Sequence, residues 1–568
     1  MRPYIFVVVL FIIYIVLALQ LGRIQILEHG KYQKLADEQH YKRVEISAHR
    51  GSILDRNGKL LAHSLETSSI YANPKEIEDK VRASKAFASA LGLPVSRVQK
   101  ALDRDKQFVW IKRKVSKKEV QAVEELGLAG VGIQQESRRS YPCGELLSHV
   151  LGFVDIDERG LEGIELACDR ELSGRPGYRV ITRDGLQRPI FSAENPFASP
   201  VHGNSVILTV DLALQHILEE ELDKAFEQGK PYSATAIAMD PTTGEVLALS
   251  NRPTFDPNFF TLSSADHRRN RAITDSYEPG SMMKPLVVSG VLRRGLVGPK
   301  DVFFCNNGVY KIGRRTLHDV HPYGHLTVEE IVIRSSNIGM SKLAAIDGAE
   351  RLYEDLRLFG LGRPTGIGLL GEVGGTLRHY KKWTSYSVAS LAMGYEVAVT
   401  PLQMITAFCA IANGGTLLRP RVVMAIADAE GKTIKKRFGR KPRWRVLSRE
   451  MATDVVTPIL TRVVSEGTGK RAALEGYKVA GKTGTSKKVN PGGKGYGNAG
   501  HISSFIGYAP ADKPKICVLV MVNEPHGRAY YGGTVAAPVV REILRRSLNY
   551  MESQAFWAMS CKVGEKFI

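Results

Sequence analysis

The sequence has no HExxH string, no CxxC pair and no concentrated basic tract. Its six cysteines (Cys143, Cys168, Cys305, Cys409, Cys517, Cys561) are widely spaced. That spacing disfavours both a zinc site and a disulfide scaffold, so neither a metal site nor a cofactor is expected. Gly476 to Thr483 spells GxxxxGK[ST], but Lys482 reads as a strand residue and not as part of a loop opening a helix, which disfavours a P-loop. Net charge is +20, from 78 basic and 58 acidic side chains. Without a zinc finger or an RNP-like string, that excess reads as a solvated basic surface and not as a nucleic-acid site.

The amino terminus is short of charge. Twenty residues, Pro3 to Gly22, carry none and are dominated by Val, Ile, Leu and Phe. A helix of that length spans the hydrocarbon core. A cleaved signal peptide is the alternative, but its apolar core is normally shorter, and no small-x-small site follows. Arg2 precedes the span while Arg23, Lys31 and Lys34 follow it. Charge therefore does not orient the helix. The expected organisation is a stub (1–3), a transmembrane anchor (4–22), a first domain (23–205), a catalytic domain (206–550) and a tail (551–568). A chain of 568 residues is too long for one core.

Asp55-Arg56-Asn57-Gly58 between Ile53-Leu54 and Leu60-Leu61 predicts a hairpin turn. Residues 75–128 read as helices mixed with charges, and Gly160 to Gly177 as turns around a short helix. Ser192, Asn195, Pro196, Ser199, Pro200 and Gly203 mark a loop-rich boundary. Strands are expected at 206–210, 235–239, 245–249, 502–508 and 516–522. Helices are expected after Asp211 and over about 539–551. Strands at both ends with a helical insertion between them predict an α+β domain, an antiparallel sheet covered by helices.

Three strings carry chemistry. Ser281-Met282-Met283-Lys284 follows the loop signal Glu278-Pro279-Gly280 and enters a helix-compatible run. Ser281 then sits near a helix N-terminus, with Lys284 on the same face. A neutral Lys284 amine can take the Ser281 proton. Pro285 predicts a kink or a very short first turn. Ser335-Ser336-Asn337 separates two helical runs, the first opened by the capping box Thr327 to Glu330. In that loop Ser335 suits proton relay, and Asn337 suits orienting Lys284 and a substrate amide. A plain helix cap is the blander reading of the same residues. Lys482-Thr483-Gly484-Thr485 reads as a strand edge. A substrate can lie along it as an added strand, its carboxylate held by Lys482, Thr483 and Thr485. The Thr485 and Ser281 N–H groups suit an oxyanion hole. Each string is weak alone. In this order, separated by 54 and 147 residues, they describe one serine acyl-transfer site.

At this point the chain resembles the penicillin-binding protein and serine β-lactamase superfamily, which the same three motifs define. Further strings resemble class B penicillin-binding proteins: Arg50-Gly51 to Asp55-Arg56-Asn57-Gly58, Arg139-Ser-Tyr141-Pro142, and Gly160-Leu-Glu162-Gly163-Ile-Glu165. Asn270-Arg271-Ala272, Tyr277 to Ser281 and Thr400-Pro401-Leu402-Gln403 continue the match. The run from Lys482 to Lys488, with Tyr530-Tyr531-Gly532-Gly533 and Ala536-Ala537-Pro538, looks most like the division-specific members (FtsI type). Met282-Met283 at the variable positions and Ser486 in place of a frequent alanine are small departures.

The resemblance implies a membrane anchor, an elongated periplasmic pedestal of the dimerisation type, and a transpeptidase domain with a five-stranded sheet and a helical subdomain. It implies septal peptidoglycan D,D-transpeptidation at the inner membrane, through an acyl-serine on Ser281. The donor would be a stem peptide ending in D-alanyl-D-alanine and the acceptor an amine of a second stem. Implied partners are a SEDS glycosyltransferase (FtsW type) and other divisome membrane proteins, with β-lactams as inhibitors. The alternatives are an elongation-type transpeptidase, a D,D-carboxypeptidase or β-lactamase, and a non-enzymatic divisome scaffold or β-lactam sensor. No acidic loop suited to β-lactamase deacylation is evident, and all three catalytic strings are intact.

Overall fold

The computed structural model describes residues 2–183, 189–190, 196–489, 496–526 and 530–564. Ser192 and Asn195 of the expected boundary lie outside them. The chain divides into two compact units, Met1–Gly51 with Ser173–Gly203, and Ser52–Leu172 with Asn204–Ile568.

The first unit holds the apolar helix α1 (Arg2–Gly22), whose run continues to Leu27 in a wider turn. The segment Tyr4–Leu27 is long and apolar enough to cross a membrane. The unit also holds an antiparallel strand pair, Tyr41–Ile46 against Gly177–Arg183, in register from Tyr41 opposite Thr182.

In the second unit, residues 52–172 and the catalytic segment share a seven-stranded sheet. Its junction is parallel, with Ile53 opposite Val206 and Leu54 opposite Ile207. The predicted hairpin is present. Ile53 pairs with Ala62, and Gly58 takes φ +80°. The Asp55 carboxylate accepts from the N–H groups of Asn57 and Lys59, both at 2.8 Å. It also accepts from the Leu212 N–H at 3.2 Å, and Asn57 donates to Asp211 at 3.0 Å. The Asp-Arg-Asn-Gly turn is thus fastened to the start of the catalytic domain. The two distant strings 139–142 and 160–165 meet as a buried pair. Arg139 Nε donates to Glu165 Oε1 at 2.6 Å, and the Tyr141 hydroxyl donates to the same oxygen at 3.2 Å.

The catalytic segment starts with α2 (Leu212–Gly229), capped by the Asp211 carboxylate. Strands β1 (Ser233–Met239) and β2 (Val246–Arg252) follow. The helical insertion contains α3 (Lys284–Arg293), α4 (Asn337–Asp347) and α5 (Pro401–Ala412). Strands β3 (Ala480–Val489), β4 (Tyr496–Ala509) and β5 (Ile516–Asn523) lead to α6 (Ala537–Gly564). The sheet order is β2-β1-β5-β4-β3, every pairing antiparallel. This is the α+β domain expected from the sequence. Helix α6 runs beyond the expected end at 551, so the supposed tail is largely helical to Gly564.

Both faces of the sheet are covered, which is why β5 reads as a continuous apolar run rather than an alternation. One face packs Val518, Val520 and Val522 against Leu214, Leu218 and Leu222 of α2 and Val540, Ile543 and Leu544 of α6. The other packs Leu519 and Met521 with the wholly buried α5. Each fully buried aliphatic side chain contributes about 1.5–3 kcal/mol. Strand β3 is left at the edge of this rigid layer, beside the start of α3.

Candidate active site

Ser281 lies in a single tight turn, Gly280–Met283, that feeds directly into α3. This is the short first turn expected ahead of Pro285. Backbone packing fixes the turn on both sides. Gly280 has φ +55°, and Gly394, whose carbonyl accepts its N–H at 3.2 Å, has φ +82°. A Cβ on Gly394 would sit 2.1 Å from the Gly280 oxygen. On the strand side, a Cβ on Gly484 would meet Met282 Cγ at 2.9 Å and the Pro279 oxygen at 3.0 Å. Gly484 therefore lets the nucleophile turn sit against β3. Met282 and Met283 are buried anchors, while Ser281 itself is half-exposed.

Lys284 is fully buried. Its Nζ donates to the Ser335 carbonyl oxygen at 2.6 Å, to Asn337 Oδ1 at 2.8 Å and to Ser335 Oγ at 3.2 Å. Lys482 is also fully buried, and its Nζ donates to the same Ser335 Oγ at 3.1 Å and to Thr483 Oγ1 at 3.3 Å. One hydroxyl thus bridges the lysines of the first and third strings. Burial pushes the Lys284 amine down to about 7, opposed only in part by the negative charge of Asp319. That corresponds to about 5 kcal/mol against the ammonium form. Burial lowers Lys482 too, and the charge of Lys284 lowers it further. The like-charge effect between the two therefore falls on Lys482, while the neutrality of Lys284 comes from desolvation. Among the described residues the Ser281 hydroxyl makes no hydrogen bond. Lys284 is turned to the second string, as in many resting sites where catalytic contacts tighten only with substrate bound.

The second string reaches the lysines through an unusual backbone. Ser335 takes φ +61°, a left-handed conformation costing about 1–2 kcal/mol for a residue with a Cβ. It sits between the helix Val328–Ile333, opened by the predicted Thr327/Glu330 capping box, and α4. Ser336 caps α4 by accepting from the Gly339 N–H at 2.9 Å. Asp319, on the loop before His325, holds the same turn. Its carboxylate accepts from the Ser336 hydroxyl at 2.6 Å, from the Ile338 N–H at 3.1 Å and from the Asn337 N–H.

Along β3, the Thr483 hydroxyl is paired with that of Thr468 at 2.8 Å. Thr485 Oγ1 accepts from the Gly532 N–H at 3.0 Å, leaving its own proton for a ligand. A cavity of about 390 Å³, lined by Tyr277, Glu278, Glu396, Lys487 and Lys488 among others, opens beyond Thr485. The structure thus gathers Ser281, Lys284, Ser335, Asn337, Lys482, Thr483, Gly484 and Thr485 around one cleft. Sequence reasoning missed Asp319, Thr468 and Gly394. None carries a local signature, because each acts through a contact far along the chain. Among the described residues no cluster of His, Cys, Asp and Glu suits a metal ion.

Comparison with known proteins follows the same lines. Residues 234–545 match the penicillin binding protein transpeptidase domain, and residues 45–208 match the penicillin-binding protein dimerisation domain. The chain is 36% identical over 510 residues to the probable peptidoglycan D,D-transpeptidase PenA of Neisseria meningitidis, covering 89% of this chain and 85% of that one. It is 34% identical over 549 residues to the peptidoglycan D,D-transpeptidase FtsI of Escherichia coli, with 95% and 90% covered. It is 35% identical to the stage V sporulation protein D of Bacillus subtilis, with 94% and 84% covered. Among solved structures, a peptidoglycan synthetase from Bifidobacterium adolescentis superposes with a TM-score of 0.72 at 27% identity, covering 90% and 97%. A mycobacterial penicillin binding protein 3 complexed with aztreonam superposes at 0.69 and 28% identity, with the same coverage. With the lysine–serine–lysine cleft in its transpeptidase domain and a dimerisation domain preceding it, the chain belongs to the class B penicillin-binding proteins.

Proposed function

We propose that this chain is a septal peptidoglycan D,D-transpeptidase, anchored in the inner membrane by α1 with its catalytic domain in the periplasm. The observation that carries the chemistry is the single Ser335 hydroxyl bridging two buried lysines, 3.2 Å from Lys284 and 3.1 Å from Lys482. Neutral Lys284 takes the proton of Ser281 as its Oγ attacks the penultimate D-alanine carbonyl. The N–H groups of Ser281 and Thr485 hold the oxyanion. Ser335 passes the proton to the departing D-alanine amine as the C–N bond breaks, leaving an ester on Ser281. An amine of a second stem attacks that ester, Lys284 takes its proton, and the Ser281 hydroxyl is restored as the new amide forms. Asn337 orients Lys284 and the donor amide.

The free edge of β3 supports donor binding as an added strand. The terminal carboxylate lies by Lys482, Thr483 and Thr485, and its charge returns a proton to Lys482. The rest of the stem runs past Thr485 towards the cavity at Lys487 and Lys488. A β-lactam offers a strained amide to the same serine, and a relative of this fold is described in complex with aztreonam. The septal role rests on the division-type run after Lys482 and on the similarity to FtsI. Partnership with a SEDS glycosyltransferase (FtsW type) and other divisome proteins belongs to the same reading.

The test has two arms. The purified full chain, given uncross-linked glycan strands with D-alanyl-D-alanine stems, should release D-alanine and form stem-to-stem amides, and Ser281→Ala should do neither. In cells, depletion should give filaments with the protein at midcell. Rounded cells would point to the elongation role, and D-alanine release without cross-links would point to a carboxypeptidase.

A further inference from the structure

We infer that Asp319 is a positioning residue for the Ser281–Lys284 pair: its carboxylate holds the Ser335–Asn337 turn in the one conformation that presents both oxygens of Ser335 and the Asn337 amide to Lys284. The inference rests on the acyl-transfer reading above and adds a residue that none of the three catalytic strings contains.

The geometry is specific. Asp319 follows the strand Arg315–His318 and is tied there by its own N–H, which donates to the Gly308 oxygen at 3.0 Å. One carboxylate oxygen accepts from the N–H groups of Asn337 and Ile338, the first two residues of α4. The other accepts from the Ser336 hydroxyl at 2.6 Å, and Ser336 Oγ in turn accepts from the Gly339 N–H at 2.9 Å. The first three N–H groups of α4 are thereby satisfied by one aspartate and one serine. The negative charge also sits at the positive end of the helix.

This network fixes Ser336, Asn337 and Ile338 immediately after the left-handed Ser335. Asn337 is further held because its amide Nδ2 donates to the His318 oxygen at 3.0 Å, which aims Oδ1 at Lys284. The strained Ser335 conformation persists because its neighbours are held in place. With the carboxylate removed, Ser335 can relax to an ordinary helical or extended conformation, and two of the three oxygens on Lys284 move with it.

Asp319 has a second consequence, an electrostatic one. Among the described residues, two titratable groups face Lys284: Lys482 from β3, through Ser335 Oγ and itself lowered by burial, and Asp319 from the loop before α4. Asn337 on α4 and Ser281 on its own turn are uncharged. Asp319 favours the protonated amine, so its removal lowers the pH at which Lys284 becomes a base.

The test is the rate of Ser281 acylation by a fluorescent penicillin, measured from pH 5.5 to 9 on the detergent-solubilised full chain. The native protein is compared with Asp319→Asn and Asp319→Ala. Asp319→Asn keeps an oxygen for the α4 N–H groups and loses the charge. It should move the midpoint of the rate profile down by about one pH unit with the melting temperature nearly unchanged. Asp319→Ala should lower the plateau rate by about 100-fold. If Asp319→Ala does not fold, Asp319→Asn decides alone. A midpoint and plateau unchanged in Asp319→Asn would overturn the inference while leaving the transpeptidase reading intact. No labelling of the native protein at any pH would overturn both.

Discussion

Lys284 is an amine with no exposed surface, held at about 7 by burial. Its neutral form is the proposed base, so the acylation rate should follow its deprotonation. Between pH 6 and pH 8 the neutral fraction rises from about one-tenth to about nine-tenths. The single-turnover rate with a saturating fluorescent penicillin should therefore rise about tenfold over that interval and level off above it. An ordinary lysine at 10.5 would be only about 0.3% neutral at pH 8, and its rate would keep climbing tenfold per pH unit. Stopped-flow labelling, with denaturing-gel quantification at each pH, distinguishes the two. A profile still climbing steeply above pH 8, or flat from pH 6 to 8, would refute the assignment of Lys284 as a desolvated base. The same depression has a stability signature of defined sign. The folded value lies below the unfolded one, so stability falls as pH drops from 10.5 towards 7, by up to about 5 kcal/mol, and the loss levels off below 7.

Other substitutions probe the supports of the cleft. Gly394→Ala places a Cβ 2.1 Å from the Gly280 oxygen at a positive φ. Acylation should fall by about 100-fold with a lower melting temperature, and an unchanged rate would show that the turn does not depend on this contact. Thr485→Val removes the acceptor of the Gly532 N–H and the hydroxyl that faces the donor. It should cost about 1–3 kcal/mol in kcat/KM for a D-alanyl-D-alanine donor, read by D-alanine release. Glu165→Ala removes the buried carboxylate that receives Arg139 and Tyr141, far from the chemistry. It should destabilise the chain by about 3–5 kcal/mol in urea melts while acylation at low temperature stays near native.

Much of this architecture was legible in the sequence where a local rule governs it. The turn at Asn57-Gly58 needs a positive φ, which glycine supplies, and the hairpin follows. The capping box at Thr327 sets a helix start that the structure reproduces. The three catalytic strings converge because two lie at helix starts and the third on the edge strand of the sheet, all facing one cleft. The contacts that define their function were not legible. The hydroxyl bridge at Ser335 joins residues 147 positions apart. Asp319 acts 17 residues before Ser336 with no motif between them. The electrostatic cause was not legible either. Both lysines are fully buried, and the charge of Lys284 adds only to the lowering of Lys482, so the neutrality of Lys284 comes from burial, which is a tertiary property. The end of α6 was misplaced because nothing at Met551 stops a helix.

The most direct measurement is peptide mapping by mass spectrometry after brief exposure of the purified full chain to penicillin. The proposed chemistry predicts one stable adduct, of the mass of the intact drug, on the peptide carrying Ser281, absent in Ser281→Ala and slowed in Lys284→Ala. An adduct on another residue, or one that persists in Ser281→Ala, would contradict it.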